Sequence, residues 1–154
     1  MAGTMAGRGP YREWEETYQV FGVVYRFRFR GPVEEPPRWE VGVLEPGGAP
    51  VVPRPVRGRT EDEARWRAEE ALRTWASVRR LHAAAARAAA RAAPGAEVVL
   101  NERAEELEVE LAGPWAVGVP FVASREEVTD ADRSEEEWEA RLEAHFRSHA
   151  VRLD

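Results

Sequence analysis

His145 and His149 stand four residues apart, a spacing that on a helix turns two imidazoles to one side and can offer both to a single metal ion. Helical zinc hydrolases also place a Glu directly after the first histidine as general base, and here that position is Phe146. Both histidines fall in an apolar stripe with Trp138, Leu142 and Phe146, so packing against a sheet is their default reading. His82, the remaining histidine, is tied to the pair by no spacing. A small metal-dependent hydrolase using His145 and His149 is kept as the second alternative. The leading reading assigns no catalytic residue, no metal and no cofactor.

Polyanion binding is the other chemistry to weigh. Arg26, Arg28 and Arg30 alternate with Tyr25, Phe27 and Phe29. Sheet-based RNA binders present aromatics and cations on one exposed face, whereas strict alternation sends these two sets to opposite faces. Glu40, on the strand expected to return alongside, is a ready partner for one arginine. A nucleic-acid-binding protein using the arginine stripe is the first alternative. The acidic run over residues 126–139 lacks the glycine and ligand spacing of a calcium loop. No nucleophile-elbow serine and no glycine-rich phosphate loop occur.

The elements that would position these groups follow from periodicity and punctuation. Residues 19–30 alternate as a strand with one buried face. Residues 31–37 turn on Pro32, Pro36 and Pro37, and 38–44 return with Trp39, Val41 and Val43 inward. Pro50, Pro53 and Pro55 limit residues 49–58 to an edge strand. Thr60 and Glu63 form a capping box for a helix over residues 60–93, a rod of ~48 Å ended by Pro94-Gly95. Its stripe is Ala64, Ala68, Ala71, Leu72, Trp75, Val78 and His82; Trp66 and Leu81 lie off it. With Arg79 and Arg80 they form the candidate partner-binding set. The helix end is nearly all Ala and Arg, which is expected to overhang the domain and to support a twofold homodimer. Strands are read over 97–100, 106–111 and 115–123, the last as a central strand. A second helix starts at Glu135, capped by Ser134.

The chain also says one thing twice. Phe29-Arg30-Gly31-Pro32 and then Trp39-Glu40-Val41-Gly42-Val43 recur as Leu111-Ala112-Gly113-Pro114 and Trp115-Ala116-Val117-Gly118-Val119. Each copy is trailed by a capped helix. Offset by 74 positions, Ala64 pairs with Trp138, Ala68 with Leu142 and Leu72 with Phe146. A ββα duplication is read over 19–93 and 97–150, with Trp39 and Trp115 expected on equivalent strands.

Composition bounds the rest. The 154 residues include no Cys, which removes disulfides and thiolate chemistry, and all 22 basic residues are Arg. The absence of Lys and Ile suits a GC-rich genome, and the scarcity of Asn and Gln suits a thermophile. Net charge is −6, with the excess acid beyond residue 94, a poor match to non-specific nucleic-acid binding. No apolar run approaches the ~20 residues of a membrane span, and a cytoplasmic protein is expected. Residues 1–15 read as a disordered leader and 16–154 as a single domain.

Residues 39–75 resemble the N-terminal domain of HicB-like antitoxins. The resemblance rests on Leu44-Glu45-Pro46-Gly47, on Gly58-Arg59-Thr60-Glu61-Asp62-Glu63-Ala64, and on Ala68 with Ala71-Leu72. It implies a reduced ribonuclease-H-like sheet without catalytic carboxylates that binds a toxin partner. The reading is an α+β domain with an antiparallel sheet of about five to six strands and two helices on one face. Its function is a non-enzymatic regulatory or protein-binding module whose partner is another protein, a second copy, or both.

Overall fold

A computed structural model describes residues 10–154. The chain is α+β, as read from the sequence, with antiparallel strands and long helices. It divides into two compact units between Ala76 and Ser77, where the sequence reads as a single domain. The first half of the longest helix belongs to one unit and its second half to the other. A single sheet of five to six strands is corrected to sheets of four, three and two.

In unit 1, β1 (Arg12–Val20), β2 (Val23–Val33), β3 (Arg38–Leu44) and β4 (Val56–Gly58) lie in that order. The leader expected over residues 1–15 falls outside the described residues up to residue 9, and Arg12 to Glu15 are strand instead. The strand read over 19–30 is in fact broken at Phe21-Gly22, whose φ values of 50° and 79° make a two-residue mirror-type turn. The alternation of β2 holds: Tyr25, Phe27 and Phe29 are buried, and the three arginines take the other face. Trp14 stacks on Phe29 at 4.9 Å and Tyr18 on Phe27 at 5.3 Å. Ala64, Ala68, Leu72 and Ala76 of α1 (Glu61–Ala92) close this core. Each large side chain so buried contributes about 2 kcal/mol.

The start of α1 is fixed locally. The Glu63 N–H donates to Thr60 Oγ1 at 3.1 Å, and the Arg59 N–H donates to Glu63 Oε1 at 3.3 Å. Gly58 sits hard against this turn: a Cβ there would lie 2.4 Å from the Ala64 nitrogen. Only a glycine lets β4 run so close to the helix.

Unit 2 contains the second half of α1, β5 (Glu97–Glu102), β6 (Glu106–Ala112), β7 (Trp115–Val117), β8 (Phe121–Ser124), α2 (Arg125–Val128), α3 (Glu135–His149) and β9 (Ala150–Arg152). β5, β6 and β8 form one sheet, and β7 pairs only with β9. The strand read over 115–123 is thus split around Gly118 and Pro120, and β8 is an edge strand rather than a central one. Leu81, Ala84, Ala85, Ala88 and Ala89 are buried with Leu107, Val109, Phe121, Trp138, Leu142 and Phe146. The alanine-rich end of α1 is therefore core, which corrects the expected overhang and the dimer argument built on it. Small side chains there let sheet and α3 residues approach closely.

The duplication is corrected in its strand part. Trp39 pairs with Gly58 inside the four-stranded sheet, whereas Trp115 pairs with Arg152 in the separate ribbon. The helix phase is as read: Ala64, Ala68, Leu72, Trp138, Leu142 and Phe146 are all buried.

Candidate functional site

α3 carries both histidines of the metal reading. His145 Nε2 lies 2.6 Å from the Val119 carbonyl oxygen, which only accepts, so Nε2 carries the proton. Its ring stands edge-on to Phe121 at 5.5 Å and 4.5 Å from that of His149. His82 is exposed on α1, contrary to its place in the sequence stripe. Among the described residues no group of three or more His, Cys, Asp or Glu is arranged to hold a metal ion.

The arginine stripe lies on the sheet face away from the aromatics and is matched by acids. Glu15 on β1 is shared by Arg28, at 3.1 Å, and Arg26, at 3.7 Å. Glu40 is only 3% exposed; it takes Arg30 at 2.6 Å and Arg57 at 3.0 Å. Glu40 raises the Arg30 pKa, first through their hydrogen bond and then through charge. Register explains the pattern, since Arg30 is opposite Glu40 and Glu40 opposite Arg57. These guanidinia are engaged within the sheet.

The structure does not bring the partner-binding set together. Leu81 is 1% exposed and belongs to the core of unit 2, which removes it as a contact residue. The Arg80 guanidinium donates to the Arg133 carbonyl, and Arg79 is exposed. Trp66 is 59% exposed on the first half of α1.

In unit 1 the fold also builds a feature that the sequence reading missed. Arg38 from β3, Arg57 from β4, and Arg59, Glu63 and Arg67 around the start of α1 line one open groove of about 800 Å³. Pro36 and Pro37 complete its wall. Arg67 reaches the Arg57 carbonyl at 3.1 Å and Glu63 at 3.3 Å. Such a groove can hold an anion; Glu63, engaged by Arg67 and by the Arg59 N–H, is placed as a structural carboxylate. The alternation Arg57-Gly58-Arg59 was the available signal, but Arg38 joins it only through strand pairing.

No family model matches this chain, and neither a curated protein nor a solved structure does. Among the described residues no helix is long and apolar enough to cross a membrane.

Proposed function

We propose that this chain is a non-enzymatic, regulatory protein-binding module of the cytoplasm, with Trp66 at its contact surface. One observation carries the reading. Trp66 is 59% exposed and has no hydrogen bond, ring contact or cation–π contact among the described residues. Trp14, Trp39, Trp75 and Trp115 are half-buried and Trp138 is buried. Covering a wet indole releases about 2–3 kcal/mol of apolar hydration free energy, and tryptophan is among the residues that dominate protein interfaces. Residues 39–75, which resemble HicB-like antitoxin N-terminal domains, include this tryptophan. A toxin-like protein partner is the regulatory role that the resemblance implies.

Nucleic-acid binding by Arg26, Arg28 and Arg30 is supported less well, because Glu15 and Glu40 already engage these arginines. The test places a photo-reactive residue at position 66 and, as control, at the exposed Arg147 of α3. A protein adduct specific to position 66, a second copy of this chain included, supports the reading once the purified partner rebinds the native chain and not Trp66→Ala. Equal labelling from both positions would refute it.

A further inference from the structure

Arginine in this chain is nearly always matched by a carboxylate or a carbonyl. In unit 1 the exceptions among the described residues are Arg38, Arg54 and Arg59, whose side chains make no ion pair or hydrogen bond. Two of these, Arg38 and Arg59, line the same groove. They come from different elements, β3 and the segment leading into α1, and the fold alone brings them to one wall. The other two arginines of the groove are held in place: Arg57 by Glu40 at 3.0 Å and Glu34 at 3.4 Å, Arg67 by Glu63 at 3.3 Å. The groove therefore has a fixed basic wall and two guanidinia with open donor forks, the geometry that takes a carboxylate by paired hydrogen bonds.

We infer that this groove receives an acidic segment of the partner protein, its carboxylates on Arg38 and Arg59 and a neighbouring apolar side chain on Trp66. The inference rests on the protein-binding reading above. Trp66 follows Glu63, which lines the groove, by three positions on α1, so the two are neighbours on the helix surface. Charge complementarity selects a peptide over a nucleic acid. Glu63 lies inside the groove. A continuous phosphate chain meets that carboxylate, whereas a peptide spaces a few carboxylates between apolar side chains.

A displayed library of random hexapeptides selected on the full chain tests this. Selected sequences are expected to carry Asp or Glu next to an aromatic or aliphatic residue. Binding of a purified selected peptide should weaken about tenfold or more in Arg38→Glu/Arg59→Glu, as expected for loss of charge-assisted hydrogen bonds. The milder pair Arg38→Gln/Arg59→Gln should weaken it too, while Arg54→Glu leaves it unchanged. Selection without acidic residues, equal loss in Arg54→Glu, or stronger competition by a single-stranded oligonucleotide of equal charge would overturn the inference. If the partner found through position 66 binds Arg38→Glu/Arg59→Glu as well as the native chain, this inference fails and the protein-binding reading stands. If no partner depends on Trp66, that reading fails first.

Discussion

Glu16 on β1 accepts both Nε and Nη2 of Arg65 on α1, at 3.1 and 2.7 Å, across 49 positions of sequence. The pair latches the edge strand of unit 1 to the helix, and the Arg65 guanidinium also lies 4.8 Å from the Phe29 ring centroid. Trp14 Nε1 donates to the same carboxylate at 2.9 Å.

This latch titrates in acid. The hydrogen bonds from Arg65 hold the Glu16 pKa below its ordinary 4.5, despite an opposing desolvation. Glu139 and Glu143 are lowered in the same direction, first by Arg87 and Arg91 respectively. A carboxylate whose folded-state pKa is depressed gives stability that is present above the unfolded value and lost as pH falls through the folded one. Urea midpoints should therefore fall as pH drops below about 4.5. Glu16→Gln should flatten that fall while lowering the midpoint at pH 7. An acid slope unchanged by Glu16→Gln contradicts the latch.

Gly58→Ala tests the close approach of β4 to α1. Its Cβ would meet the Ala64 nitrogen at 2.4 Å and Ala64 Cα at 2.8 Å, both backbone atoms that cannot rotate away. The expected cost is about 3 kcal/mol, as for overpacking of a tight contact. Gly47→Ala, with nothing within 4 Å of its Cβ, should change stability little. Equal midpoints in denaturant for the two variants would show that the contact relaxes freely.

In unit 2 packing should outweigh charge. Arg87 and Arg91 bridge from α1 to Glu135, Glu139 and Glu143 on α3, but these pairs are solvent-exposed. Leu142, fully buried between Trp138 and Phe146 in the same stripe, should cost about 3 kcal/mol when cut to Ala. Arg87→Ala with Arg91→Ala should cost clearly less, and high salt should shrink that loss without touching the Leu142→Ala loss. Chemical denaturation in low and high salt reads both.

Trp66→Ala should leave folding within about 0.5 kcal/mol of the native chain, as for exposed positions generally. A much larger loss, measured by denaturation, would mean that the indole packs within its own unit.

The sequence made some of this legible for definite physical reasons. Alternation over Tyr25, Phe27 and Phe29 and the caps at Thr60 and Ser134 are local signals, and the strand and helices stand where they point. The β1–β2 turn was hidden because Phe21 takes φ 50°, a conformation expected of Asn or Gly. Leu81 read as off-stripe because α1 serves two cores. Positions 81, 84, 85, 88 and 89 follow a repeat out of phase with 64, 68, 72 and 76. The groove was hidden for a third reason: Arg38 and Arg59 meet only through the pairing of β3 with β4.

Trp66 is the proposed point of contact with a partner protein. The most direct measurement is the affinity of the partner captured through position 66, purified, for the native chain and for Trp66→Ala at matched fold stability. A loss of about tenfold or more is expected, in keeping with an interface tryptophan. Equal affinities for the two chains would contradict it.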